Sequence, residues 1–392
     1  MRGGTRTVTW AITTVCVIAA AVELSGLHWL RAVAFGAAAC VPLVVQLPWR
    51  KQVAFAVVAV LLSTTLTVLG ALGLDLYLHH WYAKSGGYNV WGYRGAAVEA
   101  KTPGEHRLVM LGGSVAFGYG VQVDQTIPAY LQQVIADARP QSPAQVINLG
   151  WNSEGAYSFL FTLKDYAYLD YDAVILYSGY NDWLYNNQVF RHQSAIFRAT
   201  GYLPMLPVVP MGNWLRIRDL SRLGDQVVFQ PNLADRSSTE AVQTALRVSQ
   251  AVERQLGKLV PEPVPESVMA AGECGDRWDH YCGSIHQAVD FARQQGKEVF
   301  VVTEPYAVRA SAGGPAGQVA HGWQYHVEQQ RILANMLEVK YAHDRHVHYV
   351  NMGPAVDLDD PELCYDGLHL TPKGNRQLAS RLAPEILNAW PW

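Results

Sequence analysis

Three short stretches of this sequence carry residue types that together can transfer an acyl group. The first is Gly112-Gly113-Ser114-Val115-Ala116-Phe117-Gly118, a serine among glycines directly after an apolar run. Glycine lets the backbone turn tightly and approach closely, so such a serine can expose its hydroxyl at a strand-to-helix turn. The second is Ser178-Gly179-Tyr180-Asn181-Asp182, in which Asn181 can offer an amide N–H. The third is Asp366-Gly367-Leu368-His369-Leu370-Thr371, near the C-terminus. A carboxylate three residues before a histidine can hold the imidazole in the tautomer and orientation of a general base. Taken singly, each has an ordinary structural reading: a glycine-rich bend, a loop, half of a metal site. Taken in this order, each after an apolar run or near the C-terminus, the three make a combination far more specific than any one of them.

The elements that must position these residues follow from apolar patterning. Arg107 to Leu111, Gln145 to Leu149, Ala173 to Tyr177, Glu298 to Thr303 and His346 to Asn351 are short apolar runs that predict buried strands. Helical spacing fills about Pro128 to Ala138, Tyr157 to Tyr168, Gly283 to Gln295, Tyr325 to Ala342 and Lys373 to Ala389. Strands alternating with helices predict an α/β fold with a mostly parallel sheet covered on both faces. Ligands of such sheets bind beyond the carboxyl ends of the strands, which is where the three stretches fall. More than a hundred residues separate the third and fourth strands, so about 183–281 reads as an insertion. It contains a predicted helix, Ser238 to Leu259, and an acidic, proline-rich stretch, Pro261 to Ser267, that reads as a linker. The insertion is expected to be a cap over the site, a surface for polymer or membrane, or a structural excursion.

From about Arg107 to the C-terminus, outside the insertion, the chain resembles the SGNH/GDSL hydrolase family. The family's first block resembles Gly112 to Gly118, its third Gly179-Tyr180-Asn181-Asp182, and its fifth Asp366 to His369. The resemblance implies a three-layer α/β/α, flavodoxin-like domain with a five-stranded sheet. It also implies Ser114 as nucleophile, His369 as base, Asp366 as the group orienting it, and oxyanion donors from the Ser114 N–H and the Asn181 side chain. Two departures stand out. Gly113 replaces the aspartate of Gly-Asp-Ser-Leu. In the second block, begun by Asn148-Leu149-Gly150, a gapless match puts Ser153 at the oxyanion glycine, whereas Gly155 requires a two-residue shift. Both remain candidates. Gly179, Tyr180 and Trp183 are expected to contact substrate, with buried packing as the alternative for the aromatics. Glu154 reads as a substrate contact or as a helix-start carboxylate. The chemistry calls for no metal and no cofactor.

Lys and Arg number 30 against 33 Asp and Glu, so nucleic acid is not an expected partner, because phosphate binding leaves a basic footprint. Hydrophobic residues make up 50% and charged residues 16%, and the excess gathers at the N-terminus. Apolar runs at about 7–24, 27–47 and 53–74 predict three transmembrane helices within a membrane anchor over 1–82. A cleaved signal peptide ending near Ala19-Ala20-Ala21 is the alternative for the first run. Arg2, Arg6, Arg50 and Lys51 place their loops in the cytoplasm under either reading. The rest of the chain, a linker over 83–105 and a hydrolase-like domain over 106–392, is then expected outside the inner (plasma) membrane, in the periplasm or its extracytoplasmic equivalent. Tyr77, Trp81 and Tyr82 suit an interfacial belt, and His79-His80 read as solvated residues or metal ligands. Cys274 and Cys282 read as a disulfide or, with His280 and His286, as a zinc site.

The expected function is that of a membrane-tethered serine esterase acting on O-acyl, including O-acetyl, esters of extracytoplasmic glycans or lipids. An O-acyltransferase modifying an envelope or secreted polysaccharide is the alternative. With only three spans, a transferase would need a membrane partner or a soluble donor. A non-catalytic glycan-binding or assembly subunit is the alternative of another class, against which the complete Ser/His/Asp set argues.

Overall fold

The structure, a computed structural model, describes residues 48–82, 88–183, 186–206, 240–260, 274–275, 277–309, 318–319 and 322–390. The chain divides into two units, 1–74 with 237–248, and 75–236 with 249–392. The first unit contains most of helix α1 (Trp49–Tyr82). Its stretch Trp49–His79 is long and apolar enough to cross a membrane by length and composition, and its apolar window is not buried. The helix begins earlier and ends later than the apolar run 53–74 predicts, because the polar residues at each end continue it. The runs at 7–24 and 27–47 lie outside the described residues.

The second unit is built on β1 (His106–Gly112), β2 (Ala144–Asn148), β3 (Ala173–Ser178), β4 (Glu298–Thr303) and β7 (Val347–Val350), all parallel, in the order β2-β1-β3-β4-β7. This is the flavodoxin-like order. Alternate residues of β1 face opposite sides, as a period of two requires. Leu108 and Met110 pack with helices α3 (Ile127–Ala138) and α10 (Pro372–Ala389) through Leu131, Ile135, Leu378 and Leu382. Val109 and Leu111 face α4 (Tyr157–Asp165), α8 (Asp279–Gln294) and α9 (Gln324–Lys340) through Phe159, Leu163, Ile285 and Leu333. Helix α10 starts where Thr371 accepts the Gly374 N–H at 3.2 Å and Pro372 takes the first helical turn. That start directly follows His369.

Several expectations are corrected. Of the expected linker over 83–105, residues 83–87 lie outside the described residues, and the rest is anchored to the unit at several points. Tyr88, Tyr93, Arg94 and Glu105 are buried, Tyr88 stacks on Trp151 at 3.9 Å, and the Arg94 N–H donates to the Asn148 carbonyl at 3.1 Å. His79 is not a solvated loop residue; it is buried, its ring nitrogens 3.0 and 2.8 Å from the carbonyl oxygens of Tyr88 and Leu203. The first part of the insertion enters the core: α5 (Phe190–Gln193) and α6 (Ala195–Thr200) bring Arg191 and Phe197 against Tyr166, and Leu203 after them is buried in the same cluster. The predicted helix of the insertion appears as α7 (Glu240–Leu259). From it, Glu253 accepts the N–H groups of Ala195 at 2.6 Å and Ile196 at 3.1 Å. Pro261 to Ser267 lies outside the described residues. A two-residue ladder, β5 (Val308–Arg309) with β6 (Gln318–Val319), was not anticipated. Cys274 and Cys282 are joined in a disulfide, so neither is a zinc thiolate.

Candidate active site

β1 ends at Gly112 and the chain turns at once into the single-turn helix α2 (Ser114–Phe117). A Cβ on Gly112 would stand 2.5 Å from the Tyr177 carbonyl oxygen, and one on Gly113 would stand 2.3 Å from Asn181 Nδ2. A side chain at 113 would need Asn181 to move from its present position.

Ser114 meets a partner from the far end of the chain. His369 Nε2 lies 2.8 Å from Ser114 Oγ, and His369 Nδ1 lies 2.6 Å from Asp366 Oδ2. The other Asp366 oxygen accepts the backbone N–H groups of Leu368 at 3.0 Å and His369 at 2.7 Å, a turn that Gly367 makes at φ +85°. Partial burial would raise the Asp366 carboxyl, but the hydrogen bonds from the His369 side chain and the two N–H groups outweigh it. They hold it below its ordinary value. An ionised Asp366 accepting from Nδ1–H leaves Nε2 free to accept from the serine hydroxyl. Tyr119 and Tyr365 flank the imidazole, with ring centroids 4.9 and 5.9 Å away, and the Tyr365 hydroxyl donates to the Tyr119 carbonyl. No motif marks either tyrosine; the one sequence signal is proximity to Ser114 and His369.

On the other side of Ser114, the structure brings together Asn181 and the loop 151–156. Asn181 Nδ2 donates to the Glu154 carbonyl at 2.8 Å, and Asn186 Nδ2 spans from the Ser153 carbonyl (3.0 Å) to that of Asn181 (3.1 Å). Ser153 is exposed and adopts φ +65°, a left-handed conformation that ordinarily favours glycine. Gly155 has no such φ; a Cβ there would stand 2.3 Å from Asp182 Oδ1, which accepts the Ala156 N–H at 2.8 Å. The gapless match therefore puts a serine in a glycine-like conformation, whereas Gly155 makes room for a carboxylate.

Three carboxyl groups behind the site are buried. Glu154 faces away from solvent, accepting the Phe190 N–H at 2.7 Å with Arg191 at 3.6 Å, so neither the substrate contact nor the simple helix-start reading holds. Burial raises its carboxyl, and Arg191 opposes that rise. Burial pushes Asp182 up to about 7, and its second oxygen has no hydrogen-bond partner among the described residues. Burial likewise lifts Glu304, which accepts the Tyr180 N–H at 2.6 Å, to about 8.

The expected substrate contacts are redistributed. Gly179 is buried, with space for a Cβ closed by Gln330 Nε2 and His326 Cε1 at 2.5 Å. Tyr180 is half-buried, its hydroxyl donating to the Pro305 carbonyl and its ring packed 5.5 Å from Trp323 and 5.1 Å from His326. Both residues make packing contacts, the alternative given for Tyr180. Trp183 is half-exposed, edge-on to Trp323 at 6.0 Å. Two cavities lined by described residues, of about 760 and 610 Å³, contain none of Ser114, Asp366 and His369. One borders the β2 edge at Gly95, Val123 and Gln145, and the other lies against Trp151, Phe190 and Glu253.

Residues 110–377 match the sequence signature of the GDSL-like Lipase/Acylhydrolase family. No curated protein matches the chain in sequence. Solved structures similar to it include a carbohydrate acetylesterase family member from Sinorhizobium meliloti, at 14% identity and a TM-score of 0.34, covering 72% of this chain and 98% of that one. Another is the psychrotrophic esterase EstA from Pseudoalteromonas sp., at 13% identity and a TM-score of 0.37, covering 72% and 97%. A third is an acetyl xylan esterase from Geobacillus stearothermophilus, at 12% identity and a TM-score of 0.38, covering 72% and 94%. The family match takes in more than half of the 392 residues, from the end of β1 into α10, so the chain belongs to the GDSL-like lipase/acylhydrolase family and is a serine hydrolase of the SGNH type.

Proposed function

We propose that this hydrolase is a membrane-tethered esterase that removes O-acyl groups, O-acetyl included, from extracytoplasmic glycans or lipids through Ser114, His369 and Asp366. The observation that carries the reading is the relay itself: a serine and a histidine 255 residues apart in sequence meet at 2.8 Å, with the carboxylate on the far ring nitrogen at 2.6 Å. Ser114 Oγ attacks the ester carbonyl as His369 Nε2 takes its proton, and Asp366 steadies the resulting imidazolium. The tetrahedral oxyanion is held by the N–H of Ser114, the N–H of Ser153 and the Asn181 side chain. Each donor contributes about 3–4 kcal/mol to the transition state, by analogy with other oxyanion holes. The glycine-like φ of Ser153 supports the gapless match over Gly155, where the space for a Cβ is taken by the Asp182 carboxyl. His369 then protonates the leaving alcohol, and water releases the acyl group by the reverse sequence. Trp49–His79 supports the tether, and its charged start at Arg50 and Lys51 supports a catalytic unit on the side away from the cytoplasm.

The test is a substrate profile of the full chain in detergent, on acetyl and long-chain p-nitrophenyl esters and on O-acetylated polysaccharide, with and without a free sugar acceptor. Release of acetate, independent of acceptor, is the expected result. Product formed only with the acceptor would replace hydrolysis by transfer. Release only from long chains would move the substrate to lipid.

A further inference from the structure

The helix that presents Ser114 is one turn long, and a single turn has no stability of its own, because nucleation costs more than one turn of hydrogen bonds returns. Its terminal carbonyls need donors from elsewhere. Asn148 Nδ2 supplies the Ala116 and Phe117 carbonyls at 3.0 and 3.2 Å, and the Tyr365 hydroxyl supplies that of Tyr119. The Phe117 carbonyl also accepts from the guanidinium of Arg94, which reaches the carbonyls of Gly118 and Val121 just past the turn as well. Arg94 is 3% exposed, its guanidinium lies over the Phe117 ring at 4.3 Å, and no salt bridge reaches it among the described residues. A buried cation bound to three carbonyls and no carboxylate is costly to keep unless its geometry is used. Its backbone is fixed as well, with its N–H on the Asn148 carbonyl at 3.1 Å. Arg94 stands outside the family-matched range 110–377, on the segment that leads out of α1.

We propose that Arg94 is a positioning residue for the nucleophile: it gathers the carbonyls that end the Ser114 turn, and so fixes Ser114 Oγ in line with His369 Nε2. The guanidinium is suited to this because its planar fork reaches several acceptors at once, whereas an ammonium is a point donor. With its donors removed the turn loosens, the Ser114–His369 distance spreads and the attack geometry is lost, while the substrate-binding surface is untouched. The segment ahead of the family domain is then part of the catalytic machinery as well as a connection to the tether. The inference rests on Ser114 being the nucleophile.

The experiment compares Arg94→Lys and Arg94→Met with wild type and Ser114→Ala, all as full chain in detergent. It measures kcat and KM on p-nitrophenyl acetate per folded molecule, with the folded fraction read from near-ultraviolet circular dichroism. The rate of serine phosphonylation by a fluorophosphonate is measured alongside. Arg94→Met is expected to lower kcat about 10- to 100-fold and slow phosphonylation in parallel, with KM nearly unchanged, and Arg94→Lys to fall between it and wild type. Should Arg94→Met not fold, Arg94→Lys decides, since it keeps the charge and the aliphatic stem. Wild-type kcat in the folded variants, or a change in KM alone, overturns the assignment of Arg94. An active Ser114→Ala protein overturns the nucleophile instead, so the two failures are distinguishable.

Discussion

Two loops flank Ser114, each carrying a carboxylate, and their surroundings set those carboxylates to opposite states. In Asp366–His369 the carboxylate is partly exposed and both oxygens are satisfied, one by the imidazole and one by two backbone N–H groups, so it sits below its ordinary value. In Gly179–Asp182 the carboxylate is buried, one oxygen takes the Ala156 N–H and the other has no partner among the described residues, and burial raises it to about 7. The first loop keeps a charge where a proton must move. The second spends its carboxyl on holding two backbone segments together, so that Asn181 and the 151–156 loop stay in register. A chemical residue and a scaffold residue can thus be of one type, and burial with its donors tells them apart.

The contrast can be broken by substitutions of graded effect. Replacing Ser114 or His369 by alanine removes the relay itself and is expected to lower kcat about 10⁶-fold by analogy with other triads, with the thermal midpoint little changed. Asp366→Asn keeps the turn but favours the wrong imidazole tautomer, and steady-state kinetics should show kcat falling about 10⁴-fold. Asn181→Ala removes one oxyanion donor, for a loss of about 10²- to 10³-fold in kcat with KM nearly constant.

Asp182→Asn is the smallest in turnover and the most telling in stability. The folded carboxyl is raised above its ordinary value, so its contribution is fully present below about 4 and is lost as pH rises towards about 7. Asparagine does not titrate. Thermal melts should therefore show the midpoint of the variant rising relative to wild type between about pH 4 and pH 7, with kcat within about threefold of wild type if Asp182 acts only as scaffold. Asp366 has the opposite sign: its folded value is lowered, so its contribution is present above the ordinary carboxylate value and disappears as pH falls through the folded one. A parallel pH dependence for Asp366→Asn and Asp182→Asn would dissolve the contrast.

Much of this was legible in the sequence, for identifiable reasons. The strands were, because parallel strands buried on both faces are near-continuous apolar runs; β3, all six residues buried, is the clearest case. The relay was legible because Asp366 and His369 share one turn, and because glycines next to Ser114 mark a close approach that the structure explains through Asn181 and Tyr177. The supports were not legible. Arg94, Arg191 and Glu154 are buried polar residues whose partners lie dozens of residues away, and no periodicity announces them. Residues 88–105, a short aromatic and polar stretch between two strongly patterned regions, read as a connection, yet Tyr88 stacks on Trp151 and Arg94 reaches the nucleophile turn. For Gly179 and Tyr180 the sequence left packing and substrate contact equally open, since a glycine or tyrosine beside a site can serve either; their contacts with His326 and Gln330 are visible only in the fold.

The central claim, that Ser114 is the acyl-accepting nucleophile activated by His369, is tested most directly by covalent labelling. Wild type, Ser114→Ala and His369→Ala, each in detergent, are treated with a fluorophosphonate and read by peptide mass mapping. One adduct on the peptide containing Ser114 is expected in wild type, none in Ser114→Ala, and a greatly slowed one in His369→Ala. Labelling at another residue with loss of activity, or ester turnover retained by Ser114→Ala, would contradict it.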